Sequence, residues 1–175
     1  MVTPVWQVVG YQNSGKTTFI LSIIRYLKER GLQTAVLKHH GHGGTPDRTA
    51  MKDTDKYYHT GAAAALVEGE GVLQLQGNME ENTVHKSLAL LMAFEPDLII
   101  LEGYKKESYP KIVMIREEGD LSLFQELTNC QAAILWPGVS LSHDMRPVDL
   151  SVFSLGQDRS IFEWMLEKIA DYKEA

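Results

Sequence analysis

Residues 5–18 read VWQVVGYQNSGKTT, an apolar run, a loop bounded by glycines, and the opening of a helical pattern, with nothing between them. Val5 to Val9 has the content of a short buried strand. Lys16 to Arg30 carries Phe19, Ile20, Ile23, Ile24 and Leu27 at the spacing of one helix face, and Gly31 stands where the helix stops. Between strand and helix, Gly10 to Thr17 fits GxxxxGK[ST], the pattern of a phosphate-binding loop. Wrapping backbone N–H groups closely around a phosphate requires glycines, here Gly10 and Gly15, and the helix that follows aims its positive dipole end at the anion. In that frame Gln12, Asn13, Ser14 and Thr18 line the loop. Lys16 bridges the β- and γ-phosphates as a catalytic residue, and the Thr17 hydroxyl coordinates Mg²⁺.

Outward from the loop, strand-like runs alternate with helical periodicity, which predicts an α/β fold with a mostly parallel sheet of at least five strands. Thr34 to Leu37 reads as a second strand, ended by the loop KHHGHGGTP at 38–46, and Asp53 to Thr60 as a short helix. In AAAALVEGEGVLQLQGN, residues 62–78, Glu68 to Gly71 is turn-like and Val72 to Gln76 alternates at period two, so this stretch predicts a β-hairpin. Thr83 is a candidate cap for a helix carrying Val84, Leu88, Leu91 and Met92, with Pro96 beyond its end. Asp97 to Leu101, Ile112 to Ile115 and Ala132 to Leu135 are continuous apolar runs of the kind buried on both faces of a parallel sheet. A last helix, Asp158 to Lys173, places Ile161, Trp164, Met165 and Ile169 on one face, with Asp158 as its candidate N-cap.

The chain has 175 residues, enough for a single domain over 1–175 that buries roughly 70% of the surface of its unfolded form. No run approaches the ~20 apolar residues of a membrane span. A formal charge of -6 argues against a surface that neutralises nucleic-acid phosphates. Cys130 is the single cysteine, which excludes an intrachain disulfide, and the first strand begins within five residues of Met1, so a cytoplasmic protein without a signal peptide is expected.

A phosphate-loop protein needs a carboxylate near its metal, at the C-terminal end of a buried strand. The stretch DLIILEG, 97–103, offers two. Asp97 opens the strand as a cap or turn residue; Glu102 closes it, and is the candidate catalytic acid and second metal ligand. Lys105, Lys106 and Lys111 surround the loop beyond, either as a solvated basic face or as an anion-binding rim. Lys38, His39, His40 and His42 leave the same edge of the sheet as the phosphate loop, as solvated or ligand-sensing groups or as a transition-metal site. Asp47, Lys52 and Asp53 follow, as a charged helix start or as a water-positioning or Mg²⁺-linked segment. His59, His85 and His143 are isolated and carry no role.

Taken together, GYQNSGKTT at 10–18, KHHGHG at 38–43, KDTDKYYHTGA at 52–62 and DLIILEGYKKESYPKIVMIR at 97–116 resemble the molybdopterin-guanine dinucleotide biosynthesis protein B (MobB) family. The resemblance implies a GTP-binding, at most weakly GTP-hydrolysing homodimer. Such an adaptor assists the guanylyltransferase that attaches GMP to molybdopterin during molybdenum cofactor maturation. By the family pattern Gly10 to Thr18 hold GTP, Glu102 is the acid that serves Mg²⁺, and the 62–78 hairpin extends from the nucleotide fold to assist dimerisation. The chain departs from the family at Met51, where a glycine is usual. No NKxD or TKxD element marks a guanine-reading aspartate, and Trp136, Pro137 and Gly138 are candidates for a base-contacting loop. Two other classes compete: a small-molecule P-loop kinase, and a metal-delivery GTPase using the histidines at 39–42.

Overall fold

The computed structural model describes residues 3–39, 53–79, 84–142, 144 and 146–174. Thr83, His40, His42, Asp47, Lys52 and His143, singled out above, lie outside the described residues. Strands β1 (Val5–Val9), β2 (Thr34–Lys38), β5 (Leu98–Glu102), β6 (Lys111–Ile115), β7 (Cys130–Leu135) and β8 (Ser151–Ser154) form a six-stranded sheet. Its order is β2-β5-β1-β6-β7-β8, and every pair is parallel. The expected parallel α/β frame is present, with one strand more than the apolar runs marked. That strand, β8, is a four-residue edge with polar ends, SVFS, which carries too little apolar signal to stand out.

The sheet is buried on both faces. Trp6, Val8, Leu98, Ile100, Ile112, Met114, Ala132 and Ile134 pack against Phe19, Ile20, Ile23 and Leu27 of helix α1 (Lys16–Lys28). They pack equally against Ile161, Phe162, Met165 and Ile169 of helix α5 (Asp158–Glu174). Alternate residues turn the other way: Val5, Ile99 and Leu101 meet Val84 and Leu88 of helix α3 (Val84–Met92). Val9, Val113, Ile115, Ala133 and Leu135 meet Leu121 and Leu123, which belong to a 3₁₀ turn and the short helix α4 (Leu123–Glu126). Period-two alternation with both sets apolar is why these strands read as unbroken apolar runs. Trp164 closes the α5 side, edge-on to Trp6 at 5.3 Å between ring centres. Asp158 is the first residue of α5 rather than its cap: the carbonyl of Gln157 accepts from the backbone N–H groups of Ser160 and Ile161.

Strands β3 (Ala64–Gly69) and β4 (Val72–Gly77) form a separate antiparallel hairpin, packed against helix α2 (Thr54–His59). Leu66 lies opposite Leu75 and Leu73 opposite Glu68, so the three leucines share one face. That face is open, with Leu66 54% exposed and Leu75 43%.

Lys111 corrects the reading of a basic rim. It starts β6 with its side chain fully buried, and its ammonium donates to the carbonyls of Glu107 and of Tyr109, the latter at 3.1 Å. Burial pushes the amine below its ordinary pKa, opposed by Cys130 and Glu107. The residue therefore fastens the 104–110 loop from below and takes no part in the surface that Lys105 and Lys106 present.

Replacing Lys111 by methionine should leave two loop carbonyls unpaired at a cost of about 1–3 kcal/mol. At about 2–4 °C per kcal/mol for a chain of this size, calorimetry should record a clearly lowered melting temperature. An unchanged one would mean that water satisfies both carbonyls.

Candidate functional site

The loop between β1 and α1 sits where the sheet order reverses, since β1 is flanked by β5 on one side and β6 on the other. Gly10 is required by space: a Cβ there would lie 2.8 Å from the Met114 carbonyl oxygen and 2.6 Å from Ser14 Oγ. Asn13 (φ 60°) and Gly15 (φ 91°) take the left-handed conformation that curls the loop over. Ser14 is buried under this curl, so its side chain fills the turn rather than lining the cleft as expected; Gln12, Asn13, Thr17 and Thr18 do line it. The Lys16 ammonium folds back on the loop, donating to the carbonyls of Tyr11 at 2.6 Å and Gly10 at 3.2 Å. Burial holds this amine below its ordinary pKa, Glu102 opposing and the neighbouring Lys105 and Lys38 adding to it.

Glu102 ends β5 beside the loop and is itself buried. The Thr17 hydroxyl donates to Glu102 Oε1 at 2.8 Å, and the Lys38 ammonium reaches the same oxygen at 3.3 Å. Parallel pairing brings these groups together, because Lys38 is the register partner of Glu102 and Glu102 that of Val8. Asp97, at the other end of the strand, accepts from the Gln33 backbone N–H at 2.8 Å and stands apart from the loop. Gln7, fully buried in β1, donates to the carbonyls of Gly103 (3.2 Å) and Tyr104 (2.6 Å) and so fixes the segment that follows Glu102.

An open cleft of about 1710 Å³ runs across these strand ends. On the β2–β5 side it is lined by Lys38, His39, Tyr104, Lys105 and Lys106, with the Lys105 ammonium 4.1 Å above the Tyr11 ring and His39 5.0 Å from Tyr104. On the β7–β8 side the lining is Phe19, Ser22, Trp136, Leu155, Gly156 and Asp158. The Trp136 indole N–H donates to the Ser14 carbonyl at 3.0 Å, and its ring lies beneath Gly15. Arg116 reaches toward the Asn13 carbonyl at 3.5 Å from the same flank. Pro137 and Gly138 are exposed and outside the lining of this cleft, so of the proposed base-contacting loop only Trp136 faces it. Among the described residues no group of three or more His, Cys, Asp and Glu side chains could hold a metal ion. Nor is any helix long and apolar enough to cross a membrane.

A family model described as molybdopterin guanine dinucleotide synthesis protein B, MobB, matches residues 5–136. The chain belongs to the MobB family. It is 46% identical over 123 residues, 70% of each chain, to a Bacillus subtilis protein named probable molybdopterin-guanine dinucleotide biosynthesis adapter protein. An Escherichia coli protein named molybdopterin-guanine dinucleotide biosynthesis adapter protein is 27% identical over 165 residues, 93% of each chain. A crystal structure of Bacillus subtilis MobB superposes with a TM-score of 0.76 at 37% identity, covering 94% of this chain and 96% of that one. The match to the MobB family model spans the phosphate loop, Glu102 and Trp136, and ends before β8 and α5.

Sequence reasoning missed Gln7, Lys38 as the partner of Glu102, and Trp136 as a brace of the loop. The first two could have been found from the strand register, since Gln7 on β1 and Lys38 on β2 lie on the two neighbours of β5, whose end carries Glu102 and leads into the 103–104 backbone; Trp136 gives no such signal. Of the tryptophans, Trp6 and Trp164 meet edge-on at the core while Trp136 touches the loop. Occupation of the loop should therefore change the intrinsic fluorescence through Trp136. The Trp136→Phe variant should lose that change and about 1 kcal/mol of stability with the N–H bond. A full ligand response in Trp136→Phe would place the reporter elsewhere.

Proposed function

We propose that this chain is a GTP- and Mg²⁺-binding adaptor, at most a weak GTPase, that assists a guanylyltransferase acting on a molybdopterin-type cofactor in the cytoplasm. The observation that carries the phosphate and metal part of this reading is the Thr17–Glu102 contact at 2.8 Å. Mg²⁺ takes hard oxygen ligands at about 2.0–2.1 Å in octahedral geometry, which puts adjacent ligands about 3 Å apart. The Thr17 hydroxyl and the Glu102 carboxylate have the right chemistry and spacing for adjacent positions, directly or through water. Bound there, the ion would neutralise charge on the β- and γ-phosphates.

The remaining roles follow from where the side chains stand. Lys16 holds its ammonium on loop carbonyls that a phosphate oxygen would replace as acceptor, so its charge is already at the site. Gly10, Gln12, Asn13, Gly15 and Thr18 give the loop its curl and its lining, and Ser14 supports it from beneath. Lys105 and Lys106 form a basic rim beyond Glu102, suited to an anionic second ligand or to an acidic patch on the partner enzyme. The adaptor reading draws on the names of the relatives and on the open apolar face of the hairpin, where Leu66, Leu73 and Leu75 would meet a second copy of the chain.

Calorimetric titration should give GTP binding that weakens when Mg²⁺ is chelated or when Glu102 is replaced by glutamine. Lys16→Ala should lose the charge-assisted bonds worth about 1.5–3 kcal/mol, roughly 10- to 100-fold in affinity. Turnover should be confined to slow release of inorganic phosphate. Phosphate transfer to a small acceptor would replace the adaptor reading with a kinase, and copurification without any guanylyltransferase from a molybdenum-using cell would remove the partner.

A further inference from the structure

The two ends of the cleft differ in charge, and the difference fixes how an elongated anion lies in it. Every lysine lining the cleft (Lys16, Lys38, Lys105 and Lys106) belongs to the loop or to the β2–β5 side. The β7–β8 side has no lysine or arginine among its lining residues; Arg116, beside this lining, stands 5.4 Å from the Trp136 ring centre and is directed to the Asn13 carbonyl. This side offers the Trp136 ring, Phe19, Leu155 and one carboxylate, Asp158. Glu102, on β5, draws the metal-bound phosphates toward the first side, so the rest of a nucleotide extends toward the second. From β5 to β8 is four places in the sheet order, about 19 Å at ~4.8 Å per strand. That is the scale of an extended nucleoside triphosphate from its terminal phosphate to the far edge of its base.

Three carboxylates line the cleft, Glu102, Glu107 and Asp158. Glu102 is engaged by Thr17 and Lys38, and Glu107 lies in the 104–110 loop on the basic side. Asp158 is exposed, and its carboxylate has no hydrogen bond or ion pair to a described residue. The neighbouring Gln157 is turned away, its Oε1 accepting from the Ser154 backbone N–H at 2.8 Å. Arg159 is directed to Glu163 at 2.8 Å. At the base end, then, stands one free acceptor pair beside an aromatic and apolar wall.

We propose that Asp158 is the residue that selects guanine, its two oxygens accepting from the N1–H and the exocyclic 2-amino group of the base. This rests on the GTP reading above and supplies the residue that reading lacks. A carboxylate suits guanine because the two donors lie side by side on one edge of the ring, giving a bidentate, charge-assisted pair. Adenine presents a ring-nitrogen lone pair at the corresponding position and is repelled. Hypoxanthine keeps N1–H but lacks the amine, and xanthine carries a carbonyl in its place. An asparagine at 158 would offer one donor and one acceptor, the complement of xanthine.

The test is competition against a fluorescent GTP analogue on the full chain with Mg²⁺, using GTP, ITP, XTP and ATP as competitors, with the parent and Asp158→Asn proteins. The parent should prefer GTP over ITP and ATP. In Asp158→Asn, GTP should bind roughly 10- to 100-fold more weakly, XTP should gain, and ATP should not change. Because Asp158 is exposed, the variant should keep the parent melting temperature, and the unchanged ATP affinity controls for the phosphate loop. If the parent prefers GTP and Asp158→Asn keeps that preference in full, the assignment of Asp158 is overturned while the GTP reading stands. If the parent shows no preference for guanine, the GTP reading falls and this inference falls with it.

Discussion

At Gly10 the chain leaves β1 so close to β6 that a single added carbon would meet the Met114 carbonyl oxygen at 2.8 Å. That closeness sets the rest of the site. It lets the loop turn back over the ends of two buried strands, with Ser14 filling the space under the turn and the Trp136 indole holding the Ser14 carbonyl from the β7 side. The first turn of α1 is thereby held where Thr17 meets Glu102, a residue 85 positions away in sequence. Gln7 does the same for the far wall by gripping the 103–104 backbone from inside β1. Since Ser14, Glu102 and Gln7 are buried and Trp136 is half-buried, the cleft is preorganised, and a ligand need not supply the energy of ordering its walls.

Charge in this molecule is a local matter. The chain is acidic overall, with a net charge of -6, yet Lys38 pairs with the buried Glu102 carboxylate, and Lys16 feels Glu102, Lys105 and Lys38 together. Burial is the main cause that lowers the affinity of Lys16 for a proton; Glu102 opposes it, and the nearby Lys105 and Lys38 add to it. Such a cluster is stabilised by anything that brings negative charge into it. A polyphosphate does so, whereas a neutral ligand does not.

Much of the frame was legible in the sequence because the physics is local there. The phosphate loop needs its glycines at fixed offsets, parallel strands buried on both faces read as unbroken apolar runs, and helices α1 and α5 show their core faces at helical spacing. What was not legible depends on the third dimension. Nothing about SVFS distinguishes an edge strand from a loop until β7 offers it a ladder. Lys111 reads as one more surface lysine beside Lys105 and Lys106, and only the path of the 104–110 loop takes it into the core. Ser14 sits inside the loop motif yet points under it. The β7–β8 end of the cleft is drawn from the segments that follow β7 and β8 and from α5, which share no motif and are brought together only by the strand order.

The hairpin poses a different physical problem from the cleft. An isolated two-stranded ribbon is marginal in water at best, because it buries too little apolar area to offset the entropy of ordering its chain. Helix α2 covers part of β3 and β4, but the face carrying Leu66, Leu73 and Leu75 remains open, and Val72 at the turn is 63% exposed. Three leucines gathered on one face of a ribbon, with Leu66 and Leu75 opposite each other in register, form a patch rather than the scattered exposure that ordinary surfaces tolerate. The cleft gains its stability from groups already inside the fold. The open leucine face of the hairpin would gain further stability from a surface that covered it, so on the adaptor reading association would strengthen this segment as well as serve its function.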